Sequence, residues 1–436
     1  MGGALVETGA SIQQTTDGGY VMISTTLSTD GQITNYFGGS DIWVVKIDDT
    51  GKINWAKNYG SSGPDFGYFI VQTSDGGYIL AGMTNTNSGQ VTGFHGGTGY
   101  DIWIVKIDDT GALKWEHCYG GSANDAVSAI HQTSDGGYIV AGYTSSSDGD
   151  VTFNHGADDY WVFKLNDTGA INWQKTYGGS FEDFAYSISQ TVDGGFIVAG
   201  ATLSNDGDVI GNHGLYDSWT VKLDDTGNIT WEKCYGGSNI DGANYVLQTS
   251  DSGYLMVGST LSTDGEVTKS YGTTDMWVVK TDLSGNLQWQ KSLGGSHKEY
   301  GKCAVQINDS NFAILGYTAS DDSNVTFNYG DTTGTFDFWL VKIHGVSSTL
   351  FAQQAIKRDL YTNIYPNPVS NQLYVVMPQG YENASLSISD VFGRQIPLRQ
   401  QSNGTSRCIS FSDVVSGIYF LQITNNSYTQ TYKVIR

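Results

Sequence analysis

Residues 130–180 read IHQTSDGGYIVAGYTSSSDGDVTFNHGADDYWVFKLNDTGAINWQKTYGGS, and close variants of this text recur along the chain. The turn aspartate of Asp-Gly-Gly stands at Asp17, Asp75, Asp135 and Asp193, and in altered turns at Asp251 and Asp309. The intervals are 58, 60, 58, 58 and 58 residues. A tryptophan two residues after an aspartate keeps step at Trp43, Trp103, Trp161, Trp219, Trp277 and Trp339. A fixed period of this length points to a repeat architecture before any other fold.

Each unit breaks into four short strands. In the quoted unit, SAIHQT meets YIVAGYT across Ser134-Asp135-Gly136-Gly137, where glycine accepts the positive φ of a tight hairpin. A loop rich in Ser, Asp, Asn and Gly leads to WVFKLN, which turns at Asn166-Asp167-Thr168-Gly169 into AINWQKTY. The strand residues are the β-branched and aromatic types that suit a pleated surface, and no segment carries a helical apolar period. Four antiparallel strands per unit, repeated radially, describe a β-propeller blade. The expected fold is all-β: a six-bladed propeller over residues 1–345, a linker over 346–363, and a small β-sandwich over 364–436.

Residues 2–7 (GGALVE) match the GGSxxD connector that ends the other repeats, so the chain starts between two blades. There are six first, second and third strands, but five fourth strands carrying tryptophan, at Trp55, Trp115, Trp173, Trp231 and Trp289. A ring closed by a blade built from both chain ends would remove the exposed sheet edge. The closing strand is expected from upstream sequence, a truncated natural start, in preference to one improvised from residues 346–351.

Composition splits the chain at the same place. Of 22 basic and 44 acidic side chains, residues 351–436 hold 7 and 4, leaving 15 and 40 for residues 1–350. All five arginines lie after residue 350. The strongly acidic repeat part lacks the basic face that nucleic acid requires, so nucleic acid is excluded as a partner. Its acidity suits a soluble protein in extracellular surroundings and would attract cations. The four cysteines have no evident partners and read as free, mostly buried thiols. No stretch is long and apolar enough to span a membrane, and residues 1–4 show no signal peptide.

The stretch Asp48-Asp49-Thr50-Gly51-Lys52-Ile53-Asn54-Trp55, with its counterparts at Trp115, Trp173 and Trp231, resembles the tryptophan-docking repeats of quinoprotein-like propellers. The resemblance implies that each tryptophan packs on the neighbouring blade. It extends to fold only, since nothing matches that family's cofactor site.

Strand parity sorts the loops onto two faces. The tight turns share one, and the long loops and GGSxxD connectors share the other, where function in repeat folds gathers. On that face a carboxylate ends every connector: Glu7, Asp65, Asp125, Asp183, Asp241 and Glu299. They are candidates for a calcium-binding ring at the channel mouth, with turn capping as the plainer alternative. The long loops add Asp148 and Asp150, Asp206 and Asp208, Asp264 and Glu266, and Asp321-Asp322 as a candidate ligand face. These pair oxygen ligands around glycine without the full twelve-residue calcium loop. One loop position reads Phe37, His95, His155, His213, Tyr271 and Tyr329, which makes its imidazoles packing groups.

No catalytic constellation emerges. The repeat part offers no arginine for a substrate carboxylate and no nucleophile beside a base. A carboxylate pair for polysaccharide hydrolysis stays open as an alternative. The near-identity of the units specialises no blade, so binding or adhesion is the leading function, and a purely structural ring is the third.

After the linker come Ile364-Tyr365-Pro366-Asn367-Pro368, Ser389-Asp390-Val391-Phe392-Gly393-Arg394, Ser416-Gly417-Ile418-Tyr419-Phe420-Leu421 and Lys433-Val434-Ile435-Arg436. In that order they resemble the C-terminal sorting domain of Bacteroidetes proteins exported by the type IX secretion system. The resemblance assigns the motif to Tyr365, Pro366, Asn367, Pro368, Gly393, Arg394, Gly417, Tyr419 and Lys433. It implies Sec export, passage through the outer membrane by the type IX machinery, and then surface attachment or release. A glycan or protein ligand is expected on the long-loop face.

Overall fold

The structure is a computed structural model describing residues 1–325, 328, 335–344, 363–376, 384–390, 394–397, 399–403, 406–412, 414–425 and 428–436. Among these residues all regular structure is strand. The chain divides into two compact units, Met1–Ser348 and Thr349–Arg436.

The first unit is a run of propeller-like antiparallel sheets. Sheet one contains Glu7–Gln14, Tyr20–Thr26, Asp41–Ile47 and Ile53–Tyr59, hydrogen-bonded in sequence order. Sheets two to five repeat it over 65–119, 125–177, 183–235 and 241–293. Sheet six has three strands, Glu299–Asn308, Asn311–Thr318 and Asp337–His344. Register fixes the two ends: Asp65 pairs with Thr84 and Thr84 with Asp101, while Gln72 pairs with Tyr78 and Ile107 with Leu113. Connectors and long loops therefore share one end of every sheet, and the tight turns share the other.

The turn end is locked by a lysine that the sequence reading passed over. Lys46 Nζ is buried and lies 2.8 Å from Asp17 Oδ2. Lys106–Asp75, Lys164–Asp135, Lys222–Asp193 and Lys280–Asp251 repeat the pair. The Lys46 hydrogen bond, with one from Thr15, holds the Asp17 carboxyl down at about 2. Each lysine also donates to the carbonyl that follows it, Ile47 in sheet one, so the buried ammonium is not left unpaired.

Strand interiors of sheets two to five are apolar on both faces because each of these sheets is covered on both sides. One core cluster joins Val21, Ile23, Ile42 and Val44 of sheet one to Ile70, Leu80, Trp103 and Val105 of sheet two. The third-strand tryptophans Trp103, Trp161, Trp219 and Trp277 are fully buried. First strands of neighbouring sheets pack closely on one another and fourth strands do not pack as closely, which places the first strand innermost. Packing across sheets joins one to two, two to three, and so on to five and six.

The first and sixth sheets are not among the packed pairs, and the expected closed ring is not seen between the described residues. Ile12 of sheet one is 61% exposed, whereas its counterparts Ile70, Ile130, Ile188, Val246 and Ala304 are 0–3% exposed. On sheet six Phe338 and Leu340 are 89% and 71% exposed, whereas Ile42 and Val44 at those positions are buried completely. The missing element is physical: Asp337–His344 has no fourth strand beside it among the described residues. The alternative closing strand at 346–351 lies outside them. All four cysteines are free. Cys118 and Cys234 are buried as expected, but Cys303 is exposed.

The second unit holds two four-stranded antiparallel sheets. One contains Asn363–Tyr365, Gln372–Val376, Ser406–Ser410 and Arg399–Asn403; the other contains Gln395–Ile396, Ser385–Asp390, Ile418–Asn425 and Tyr428–Ile435. Leu373, Val375 and Ile409 of the first share a core with Ile388, Leu421 and Val434 of the second.

Candidate functional site

At the connector end, the recurring carboxylates are absorbed into the fold. Asp65, Asp125, Asp183, Asp241 and Glu299 are fully buried. Asp125 accepts from Thr144 Oγ1, from Ser146 Oγ at 3.0 Å and from the Gly121 amide at 2.8 Å. Asp183 does the same with Thr202, Ser204 and Gly179. Ser61 serves Asp65, Gly237 and Ser262 serve Asp241, and Gly295 and Thr318 serve Glu299. Glu7 accepts from Gly3 and Thr26. Each carboxylate thus caps its own connector. Among the described residues no three His, Cys, Asp or Glu side chains are disposed to hold one metal ion.

A second buried carboxylate, the first residue of the third strand in sheets one to five, stands beside the cap of the next sheet. Asp41, Asp101, Asp159, Asp217 and Asp275 are fully buried, and their Oδ1 atoms have no hydrogen-bond partner. Glycine separates the two acids. A Cβ on Gly178 would lie 2.5 Å from Asp183 Oδ2 and 2.6 Å from Asp159 Oδ1; Gly60, Gly236 and Gly294 repeat the arrangement. Burial therefore pushes the carboxyls of Asp41, Asp65, Asp125, Asp183 and Asp217 up to about 6.

The histidines are not the plain packing groups that their exchange with Phe and Tyr suggested. His95 Nδ1 lies 2.7 Å from Asp101 Oδ2, with Nε2 3.6 Å from Asp150 of the next sheet. His155 joins Asp159 and Asp208 in the same way, and His213 joins Asp217 and Glu266. Three imidazoles thus clip one sheet to the long loop of the next. The other loop acids fasten connectors: Asp148, Asp206 and Asp264 accept from the amides of Ser122, Ser180 and Ser238. These acids form turns; Tyr329 lies outside the described residues.

What the sequence reading missed is an alternation. The residue after the connector acid and the residue before the third-strand aspartate are both aromatic in sheets two, four and six: Phe66 with Tyr100, Phe184 with Tyr216, Tyr300 with Phe336. In sheets one, three and five they are Thr8 and Ser40, Ala126 and Asp158, Gly242 and Thr274. The paired ring centroids lie 5.7, 6.3 and 6.0 Å apart. Tyr143 joins Phe184 edge-on at 4.9 Å, and Tyr317 joins Phe336 at 5.1 Å. These rings are partly exposed, with Phe336 the most open at 47%. At sheet six, a cavity of about 490 Å³ is lined by Lys298, Tyr300, Tyr317, Phe336, Asp337 and Phe338. The repeat is therefore broken in alternate sheets, and the signal was present in the sequence once positions were compared across repeats.

In the second unit the motif residues converge. Asn367 Nδ2 donates to the Lys433 carbonyl at 2.8 Å, and the Ile435 amide donates to Asn367 Oδ1 at 2.9 Å. Pro366 and Pro368 flank that asparagine. Gly417 and Arg436 exchange both backbone hydrogen bonds. Tyr419 is buried with its hydroxyl on the Val415 carbonyl, and Arg394 Nε lies 2.7 Å from Asp390. Gly393 lies outside the described residues, and the side chain of Tyr365 is not described.

Residues 363–436 match the family described as the secretion system C-terminal sorting domain. The protein is therefore a cargo of the type IX secretion machinery, secreted or held at the outer cell surface. Among the described residues no helix is long and apolar enough to cross a membrane. No curated protein matches the sequence. Among solved structures, the PQQ-bound aldose sugar dehydrogenase of Streptomyces coelicolor is similar at 9% identity and a TM-score of 0.36, covering 78% of this chain and 96% of that one. The plexin A4 extracellular region gives 7% and 0.41, covering 98% and 60%. An ancestral GH74 enzyme gives 10% and 0.38, covering 99% and 57%. Likeness at this level extends to neither ligand nor activity.

Proposed function

We propose that the first unit is a six-bladed β-propeller acting outside the cell as a binding module for extended glycans. The ligand lies on the end that carries the connectors and long loops. The observation that supports this most is the alternation of aromatic pairs: Phe66–Tyr100, Phe184–Tyr216 and Tyr300–Phe336. A residue needed for the repeat core would appear in every sheet. These appear in every second one, partly exposed, where flat aromatic faces can stack on the apolar faces of sugar rings. The recurrent carboxylates of the connectors and third strands are buried in the junctions, which withholds them from acid–base work on an external chain. That favours binding over hydrolysis.

The test uses the purified full chain against a panel of soluble polysaccharides, with retention and released sugars measured on the same samples. Retention without product supports the proposal, and Phe184→Ala with Tyr216→Ala should weaken it by about tenfold, the scale of a lost aromatic contact. Release of reducing ends by the intact chain, absent after heating, would make it an enzyme.

A further inference from the structure

At the connector end, sheets three and six share a pattern in which one member is filled and the other open. The residue three beyond the connector acid is skipped by the strand ladder, and it is Ser128 in sheet three and Lys302 in sheet six. On the second strand beside it stand Tyr143 and Tyr317, whereas the other sheets have Thr25, Met83, Ala201 and Ser259 there. The Lys302 ammonium lies 5.4 Å from the centre of the Tyr317 ring, a cation held over an aromatic face. The same register sets Tyr143 beside the short Ser128, which supplies no such cation.

Negative charge gathers at the same place. The residue before the third-strand aspartate is acidic only at Asp158. The residue before the connector acid is acidic only at Glu182, and the other sheets have Val6, Pro64, Asn124, Ile240 and Lys298 there. The Asp183 amide donates to the Asp158 carbonyl at 2.6 Å, which brings the two acidic residues together across the junction of sheets three and four. Both are partly exposed, and neither forms an ion pair among the described residues. Their charge is felt by the rings beside them. Burial first and Asp158 next raise the Tyr143 phenol, while burial, Glu182, Asp158 and Asp183 raise that of Tyr216. Phe184 meets Tyr143 edge-on and lies 6.3 Å from both Tyr186 and Tyr216. Aromatic faces flanked by unpaired carboxylates attract a cation and repel an anion.

We infer, resting on the glycan-binding face proposed above, that the junction of sheets three and four is a subsite for an amino sugar whose amine is free. The ligand's ammonium stands over Tyr143 as the Lys302 ammonium stands over Tyr317, with Asp158 and Glu182 as its counter-charges. The sugar ring lies against Phe184 and Tyr216. N-acetylation removes the charge that the carboxylates attract, and a uronic or sulfated unit is repelled by them. The subsite thus selects among glycans that the aromatic pairs alone would hold equally.

The probes are a glucosamine oligosaccharide and the same oligosaccharide fully N-acetylated, titrated calorimetrically into the full chain. The free-amine form should bind about tenfold more tightly, and added salt should narrow the gap. Asp158→Asn with Glu182→Gln should erase the preference while the acetylated form binds as before. Ser128→Lys plants in sheet three the lysine that sheet six already has, and should erase it too. Asp109→Asn with Asp225→Asn removes the same charge from exposed residues at the turn end and should leave the preference intact. Equal affinity for the two forms overturns the inference, as does a preference that survives both changes at the junction. An equal loss in the turn-end variant would show bulk attraction by an acidic protein, and overturns it. A lysine oligopeptide bound as tightly as the glucosamine form would show a peptide site, and overturns it as well. Failure of both forms to bind also overturns it; retention of an uncharged polysaccharide in that case leaves the glycan face standing, and retention of none removes both.

Discussion

The hydroxyl of Tyr59 lies 2.6 Å from the carbonyl oxygen of Gly111, 52 residues further along and one sheet away. Both groups are buried, and the bond recurs at Tyr119, Tyr177 and Tyr235. It ties the fold together across junctions where no main-chain ladder runs. Tyr119→Phe should cost about 1 kcal/mol, the net worth of such a bond, and Tyr119→Phe with Tyr177→Phe about twice that. Urea unfolding of the first unit checks it; a double variant as stable as the native chain would show that the ring burial alone holds the junction.

Gly178 separates two buried carboxylates, and a methyl group there meets an oxygen of each within 2.6 Å. Gly178→Ala should destabilise by about 1–3 kcal/mol through forced separation of the strands. Gly194→Ala, where no atom stands within 4 Å of the Cβ position, tests only the cost of its positive φ of 88°. A greater loss at Gly194 would contradict the account of the junction.

The junction acids set an unusual pH response. Asp41, Asp65, Asp125, Asp183 and Asp217 are pushed up to about 6 by burial, so the folded chain takes up protons before the unfolded chain does. Stability therefore rises as pH falls through about 6 towards about 4. His213 works in the same direction: burial lowers it, but Asp217 and Glu266 outweigh burial and leave it raised. Asp17 and Asp135, held at about 2, act oppositely and lose their contribution once pH drops below the ordinary carboxylate range. Melting temperature should thus peak between about pH 4 and 5. Asp41→Asn with Asp217→Asn should flatten the slope above the peak. A steady fall in melting temperature from pH 7 to 5 in the native chain would refute this reading.

Calcium should leave the melting temperature unchanged at millimolar concentration, because both oxygens of Asp125 and of Asp183 already accept from hydroxyl and amide donors and no three acidic or histidine side chains among the described residues are disposed to share an ion. A calcium-dependent rise lost in Asp125→Asn with Asp183→Asn would restore the metal ring.

Much of the repeat part was legible because its period is long and its turns are spelled out. Asp-Gly-Gly, the Thr-Gly turn and the tryptophans marked four strands per unit, and the lone missing fourth strand in the last unit was countable. Parity then placed Asp65, Asp125 and Asp183 at one end. Their partners were not legible, since Thr144 and Ser146 reach Asp125 from a neighbouring strand that only register brings close. The His95 clip was hidden because its phenyl and phenol counterparts occupy the same volume without needing Asp101. Closure was not legible, because periodicity counts sheets and says nothing of whether the two outermost faces meet.

In the second unit, Asn367 joins the opening and closing motifs through the backbone of Lys433 and Ile435. Asn367→Ala should lower the stability of that unit by about 1–3 kcal/mol, the cost of unsatisfied main-chain groups, while the repeat unit melts as before. Removal of residues 363–436 should strand the protein in the periplasm of a type IX host. Surface display of the shortened chain would contradict its role in export.

The most direct test of the account is a binding titration with a retained polysaccharide, using the native chain, the Phe66→Ala/Tyr100→Ala and Phe184→Ala/Tyr216→Ala variants, and all four changes together. If the aromatic pairs grip one extended ligand in concert, each double variant should weaken binding by about tenfold and the quadruple variant by more than either alone. No sugar should be released in any sample. Undiminished affinity in the quadruple variant, with its fold intact, would contradict the proposed glycan face.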